Sequence, residues 1–223
     1  MTDDRLRAKE EAGRHAATYV SSGMRVGLGT GSTVHFTIVA LGERRLDIAC
    51  VATSEQTHRL ATELGLRVVA PDEVGELDIA IDGADEVDRA LNLIKGGGGA
   101  HTREKIVAAM ARRFIVVVDA AKLVEGLGAF PLPLEVLPFA PGFAASRARA
   151  LGAAAVTTRA ERSDNGNLLM DAAFGRIPDP AGLAARLAAV PGIVEHGLFP
   201  AEMVERVVVA APDGVRELVR SAP

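Results

Sequence analysis

Strand-like and helix-like segments alternate along the first 120 residues, and this alternation limits the fold more than any other feature. Leu6, Ala12, Ala16, Tyr19 and Val20 recur at mostly helical spacing over residues 4–20. Short apolar runs at 24–28, 47–52, 67–70, 77–81 and 114–118 read as buried strands. Residues 33–41, 54–64 and 102–113 read as helices between them, the second stopped by Gly65. Strands this short and β-branched, each followed by a helix, predict a parallel sheet covered by helices on both faces.

The pattern changes near residue 130. Pro131, Pro133 and Pro138 argue against helix, and 134–137 reads as an edge strand. Residues 142–151 look helical. Two strands, at 153–159 and 167–173, flank the polar turn Ser163-Asp164-Asn165-Gly166, a hairpin signal. A helix over 180–190 has Pro180 near its start. A strand over 202–210 and a last short helix over 215–219 complete the reading. Segment 130–198 is thus expected to be a small α+β unit set into the α/β domain.

Composition removes several functions. The 223 residues carry a net charge of −4 with no basic stripe, which argues against nucleic-acid binding. The paired Arg44–Arg45 and Arg112–Arg113 read as cations at helix C-termini. A single cysteine, Cys50, excludes an intrachain disulfide framework and a multi-cysteine zinc site. The polar start, MTDDRLRAKEEAGRHAATYV, is not expected to be a secretory signal, and no apolar run approaches the ~20 residues of a membrane helix. The expected location is cytoplasmic, with no membrane partner.

Glycine placement points to the chemistry. Gly27-Leu28-Gly29-Thr30-Gly31-Ser32-Thr33 lies between a strand and a helix. Such a turn presents backbone N–H groups to an anion, with Ser32 and Thr33 as further donors; the alternative is a tight turn with a helix cap. A dinucleotide site would want a third glycine at position 32 and an acid after the second strand, where this chain has Ala52-Thr53-Ser54. A single phosphate fits better. Asp82-Gly83-Ala84-Asp85 follows a buried strand, so its two carboxylates suit recognition of hydroxyls or a metal ion; the alternative is an Asx-turn and helix cap. Glu86 and Asp88 read as solvated, and no further ligand suggests a dedicated metal site.

Lys95-Gly96-Gly97-Gly98-Gly99-Ala100-His101-Thr102-Arg103-Glu104-Lys105 is the most informative stretch. Four consecutive glycines are costly to order, so a purely structural role is strained. Glu104 falls in the first turn of the following helix. There it either complements the helix dipole or, beside Lys95 and the loop, acts as a general base. His101 reads as a surface or packing residue. Eight of the 23 glycines (Gly27, Gly29, Gly31, Gly83 and Gly96 to Gly99) fall in these three loops.

Taken in order, the motifs resemble those of the type A ribose-5-phosphate isomerases. They are GLGTGST at 27–33, TSEQT at 53–57, DGADEVD at 82–88, KGGGGAHTREK at 95–105 and VVDAAK at 117–122. FPLPLEV at 130–136, SDNGN at 163–167, GLF at 197–199 and PDGV at 212–215 follow. One departure is Ala121, where the family often has Ser before the lysine. The resemblance implies an α/β fold: a Rossmann-like catalytic domain (1–129 plus 199–223) and a smaller α+β, ferredoxin-like domain (130–198) for lid and oligomerisation. It implies interconversion of D-ribose 5-phosphate and D-ribulose 5-phosphate through an enediolate, in the non-oxidative pentose phosphate pathway, without cofactor or metal. Glu104 matches the family's proton acceptor. Lys95 with the N–H groups of Gly96, Gly97, Gly98 and Gly99 would stabilise the oxyanion. Asp82, Gly83, Ala84 and Asp85 would hold the sugar, with Asp82 helping to open the ring. Thr30, Gly31, Ser32, Thr33, Lys122 and Lys9 would hold the phosphate or adjacent hydroxyls. The implied partners are a small sugar phosphate and further copies of the chain, as a homodimer or a dimer of dimers. A sugar-phosphate sensor would use the same fold for binding alone, but no helix-turn-helix segment and nothing basic for DNA contact is evident; a related deaminase, lactonase or CoA transferase would use a similar scaffold, which the DGAD and KGGGG pair fits less well.

Overall fold

The computed structural model describes residues 3–211 and 214–220; of the PDGV motif, Pro212 and Asp213 lie outside these. In chain order the elements are α1 (Asp3–Ala17), β1 (Arg25–Leu28), α2 (Val34–Arg44), β2 (Ala49–Ala52), α3 (Glu55–Glu63), β3 (Arg67–Val68), α4 (Pro71–Val74), β4 (Ile79–Asp82), β5 (Glu86–Val87) and β6 (Leu93–Ile94). There follow α5 (His101–Met110), β7 (Phe114–Asp119), a 3₁₀ turn at Ala120–Lys122, β8 (Leu132–Val136), α6 (Pro141–Ala150), β9 (Ala155–Arg162) and β10 (Leu168–Ala173). The chain continues through α7 (Pro180–Ala188), β11 (Ile193–His196), β12 (Leu198–Phe199), β13 (Arg206–Ala211) and β14 (Gly214–Val219).

The chain divides into two compact units. The first comprises residues up to Gly83, Arg103–Lys122 and those from Glu202 onward. Its seven-stranded sheet runs β14-β13-β7-β4-β1-β2-β3. All neighbours are parallel except β13 and β14, and the order on either side of β1 is that of a doubly wound, Rossmann-like sheet. β7 is buried along its whole length, as its run Phe-Ile-Val-Val-Val-Asp requires of a central parallel strand. One core cluster joins β1, β4 and β7 residues such as Val26, Leu28, Ile79, Ile81 and Ile115 to Ala12, Ala16, Ile38 and Leu41 of α1 and α2. Arg44 donates to the carbonyl oxygens of Ala17 and Val20 (3.0 Å to Val20), so this end-of-helix cation closes the C-terminus of α1.

α5 packs against the sheet at Gly27. A Cβ there would collide with the Val107 side chain and lie 2.9 Å from the Ala80 Cβ. The last turn of α5 lies at the start of β4, where the Met110 oxygen accepts from the Leu77 N–H at 2.8 Å. The helix therefore runs antiparallel to β4, and its first turn lies toward the strand's C-terminal end.

The second unit comprises Ala84–Thr102 and Leu123–Ala201. Its four-stranded antiparallel sheet has the order β11-β8-β10-β9. With α6 after β8 and α7 after β10, this is the βαββαβ arrangement of a ferredoxin-like fold. A smaller sheet, β12-β6-β5, belongs to the same unit. Residues 84–102, 123–129 and 199–201 therefore depart from the boundary read in the sequence. They are held in the second unit by β12 and by Glu86, whose carboxylate accepts from the N–H groups of Gly128 and Phe130 at 2.6 Å each.

Three local expectations are corrected. β8 is an interior strand and not an edge; its Pro133 is tolerated because β11 pairs only with Leu134 to Val136. Residues 215–219 are not helical but form the antiparallel edge strand β14. Their helix-like spacing of Val215, Leu218 and Val219 is too short to hold a helix against the open edge of β13. Glu86 is buried rather than solvated. Asp88 accepts from the N–H groups of Ala90 and Asn92, fixing the turn between β5 and β6.

Candidate active site

In the first unit, the residues singled out by sequence gather at the C-terminal ends of β1 and β4. Asp82, the last residue of β4, is 2% exposed. Its Oδ1 accepts from the N–H groups of Thr30 (3.0 Å) and Gly83 (2.7 Å), which fixes the orientation of the carboxylate. Gly29 is required for this approach: a Cβ there would overlap Asp82 Oδ1 and lie 2.5 Å from the Asp82 Cα. Thus Gly27 and Gly29 serve packing of the protein on itself, where the sequence suggested approach to a ligand. Glu104 is buried in the first turn of α5. Val107, on the same helix face one turn later, rests against Gly27. Glu104 is therefore carried about 5 Å beyond Val107 toward the strand ends that hold Asp82.

The turn between β1 and α2 is held by hydroxyls that the sequence reading did not assign. The Thr30 hydroxyl bonds to those of Thr53 (2.9 Å), Ser54 (2.8 Å) and Thr57 (3.0 Å), and Thr57 Oγ1 donates to the Gly29 oxygen at 2.9 Å. Thr30 is thus committed to the scaffold by side chain and N–H alike. The available signal was TSEQT directly after β2. Gly31 (φ +141°) and Ser32 are exposed, Thr33 is buried and makes no capping bond, and the first turn of α2 holds no acidic residue to oppose an anion. Lys9 of α1 is buried, with Nζ 2.8 Å from Ser32 Oγ and 3.4 Å from Asp119 Oδ2. Lys122 is half-buried in the 3₁₀ turn after β7.

In the second unit, Ala84 and Asp85 follow directly on Gly83, and both are half-buried. The Asp85 N–H donates to the Ile94 oxygen (2.8 Å), and its Oδ2 accepts from the Gly97 N–H (2.7 Å). Lys95 follows β6 and is 2% exposed, with Nζ 5.4 Å from the centre of the Phe199 ring. The glycine loop is ordered by close packing. Added Cβ atoms would lie 2.7 Å from the His101 ring at Gly96, 2.6 Å from Asp85 Oδ1 at Gly97 and 2.6 Å from Leu169 at Gly99. At Gly98 one would meet nothing within 4 Å. His101 is a core residue, wholly buried, with Nε2 3.3 Å from the Glu195 oxygen.

Two second-unit clusters escaped the sequence reading. Arg159 donates to the Gly96 and Gly97 oxygens at 3.1 and 3.0 Å, and nothing in its local sequence marks it. Glu135 on β8, wholly buried, accepts from Thr102 (2.6 Å), Ser163 (2.9 Å), Asn165 (3.1 Å) and Asn167 (2.7 Å). Burial alone would raise its pKa, but these four hydrogen bonds outweigh burial and hold the carboxyl below its ordinary range. Among the described residues no group of three or more His, Cys, Asp or Glu side chains is placed to hold a metal ion, and no helix is long and apolar enough to cross a membrane.

The family model for ribose 5-phosphate isomerase A (phosphoriboisomerase A) matches residues 49–214. Ribose-5-phosphate isomerase A of Thermomicrobium roseum is 49% identical, covering 96% of this chain and 94% of that protein. Its counterpart from Sinorhizobium medicae is 47% identical, covering 98% and 100%. Among solved structures, ribose 5-phosphate isomerase A from Neisseria gonorrhoeae superposes with a TM-score of 0.94 at 34% identity over 99% of both chains. A D-ribose-5-phosphate isomerase in complex with phospho-erythronic acid gives 0.92 at 39% identity, over 96% of this chain and 98% of that one.

Proposed function

The chain belongs to the ribose 5-phosphate isomerase A family, and on that premise we propose that Glu104 is the base of its reaction and Asp82 the group that opens and orients the sugar. The protein is an isomerase interconverting D-ribose 5-phosphate and D-ribulose 5-phosphate. The observation that carries the assignment is the placing of two buried carboxylates, Asp82 and Glu104, at one end of the first unit's sheet.

The chemistry asks for this pair. The furanose opens when the ring oxygen takes a proton and the C1 hydroxyl loses one, a transfer suited to the fixed carboxyl of Asp82. Glu104 then removes the proton from C2 of the open aldose and returns it to C1 while a proton passes from O2 to O1, leaving the carbonyl at C2. The intermediate enediolate carries its charge on oxygen, where Lys95 and the N–H groups of the Gly96–Gly99 loop would stabilise it, each such donor being worth roughly 3–4 kcal/mol. Asp82 and Asp85, with Gly83 and Ala84, would hold hydroxyls. Ser32, Thr33, Gly31 and the α2 N-terminus, with Lys9 and Lys122, would hold the phosphate; Thr30 enters this role as support for the turn. That a solved relative takes phospho-erythronic acid, an anionic sugar phosphate, supports this reading.

Segment 130–198 is read as lid and oligomerisation domain of a homodimer, or of a homotetramer built from two, acting in the cytoplasm without metal or cofactor. Sedimentation velocity at micromolar concentration tests the assembly; a monomer there would refute it. Ketose formation from ribose 5-phosphate, followed in EDTA, tests the reaction. Glu104→Gln is expected to lower kcat by about 10²–10⁴ while substrate still binds. A loss within about tenfold would remove Glu104 as the base. Lys122→Ala is expected to raise KM for ribose 5-phosphate more than for ribose, and an equal change would refute its phosphate role.

A further inference from the structure

We infer that Arg159 is a positioning residue for the glycine loop, acting through the two carbonyls it holds and not by touching substrate; this rests on the reading of that loop as the oxyanion-stabilising element. Arg159 lies where the β9–β10 pairing is irregular. Arg162 pairs with Leu168 and Thr158 with Met170, so residues 159–161 stand opposite Leu169 alone. A bulge of this kind re-aims side chains. Here it directs one guanidinium along two lines. Nε and Nη2 donate to Asp171 Oδ2 and Oδ1 at 2.9 and 2.6 Å, a two-pronged pair that locks the guanidinium plane. Nη1 donates to the oxygens of Gly96 (3.1 Å) and Gly97 (3.0 Å). The side chain is only 13% exposed.

Peptide planarity turns these bonds into a statement about N–H direction. In a trans peptide the carbonyl and the following N–H point in opposite directions. Holding the Gly96 oxygen turns the Gly97 N–H away from Arg159, and Asp85 Oδ2 accepts it at 2.7 Å. Holding the Gly97 oxygen turns the Gly98 N–H away likewise. No described residue accepts from that N–H, and Gly98 is exposed, with open space where a side chain would stand. Glycine has no Cβ to oppose rotation of these peptides, so the fixed orientation comes from the bonds to the carbonyls. Leu169, beneath Gly99, holds the far end of the same loop. Lysine would not substitute, because its ammonium lacks the planar fork that serves Asp171 and the carbonyls together.

The test compares Arg159→Met, Arg159→Lys, Arg159→Ala and Asp171→Asn with wild type, using ribose 5-phosphate as substrate and phospho-erythronic acid as inhibitor. Arg159→Met is expected to lose about 100-fold in kcat, the scale of one misaligned oxyanion donor, with KM changed by less than roughly threefold. Inhibition by phospho-erythronic acid should weaken in step with kcat/KM, and Arg159→Lys should not recover activity. Added ethylguanidinium should restore Arg159→Ala at least severalfold and leave Glu104→Gln unchanged. Amide exchange at Gly97 and Gly98 should quicken in Arg159→Met. If that variant fails to fold, Asp171→Asn, which keeps the guanidinium but frees it, decides the matter through a loss of about tenfold in kcat alone. A folded Arg159→Met or Asp171→Asn with kcat within roughly threefold of wild type, or a loss confined to KM, overturns the inference. An inactive wild type would instead defeat the isomerase reading on which it rests.

Discussion

Replacing Gly29 by alanine separates two explanations of the glycine-rich turn. If the glycines admit a phosphate, an added methyl should weaken substrate binding and leave the fold alone. The structure gives the opposite expectation. A Cβ on Gly29 would stand 2.5 Å from the Asp82 Cα, where ordinary contact begins near 3.4 Å, so strand β4 or the turn must retreat by about 1 Å. The backbone at Gly29 does not have a positive φ, so the strain is one of space alone. Overpacking of this kind costs about 1–3 kcal/mol, which in a chain of this size lowers Tm by roughly 4–8 °C at the middle of that range. The same shift moves the carboxyl of Asp82, and a misplacement of about 1 Å at a reacting group costs on the order of 10²-fold. Calorimetry and steady-state kinetics on Gly29→Ala should therefore show a lower Tm and a lower kcat together, with KM little changed. Gly142→Ala in α6, where the methyl meets nothing within 4 Å, controls for loss of a glycine as such. Wild-type Tm and kcat with a raised KM in Gly29→Ala would refute the packing argument.

Two further outcomes follow from burial. The pKa of Glu135 is lowered in the fold, so its hydrogen bonds stabilise the protein above the ordinary carboxylate range, and that stabilisation is lost as pH falls through the folded value. Glu135→Gln should lose roughly 2–3 kcal/mol at neutral pH, a fall of about 5–10 °C in Tm. It should also flatten the acid limb of a Tm-versus-pH curve, and a limb as steep as that of wild type would assign the acid sensitivity elsewhere. Burial pushes the Cys50 thiol up to about 12, against the opposing charge of Arg67. Native protein at pH 8 should resist iodoacetamide and react once unfolded in urea; rapid native alkylation would show that β2 opens.

The residues proposed for the chemistry stand out in the sequence because they lie in short, contiguous motifs. DGAD and KGGGG with Glu104 mark positions that ordinary turns do not require, and the alternating strands place DGAD at the C-terminal end of a parallel strand. The reason for each glycine was not legible. Gly29 answers to Asp82, 53 positions later, and Gly99 to Leu169 across 70, and neither partner leaves a local trace. The same holds for Glu135, whose four donors come from Thr102 and the 163–167 turn. From sequence it was an ordinary residue within FPLPLEV.

The sequence by itself determined the two-unit α/β plan, the family, and the loops that carry the carboxylates and glycines, because periodicity and turn chemistry are local. Tertiary structure alone decided that 215–219 is part of a strand, since the six residues of β14 take their form from the edge they meet. It decided that β8 is interior and that residues 84–102 join the second unit, since pairing partners are distant in the chain. It also decided which way the glycine loop faces. A chain of glycines has no preference of its own, and the direction is set by Arg159 and Asp85.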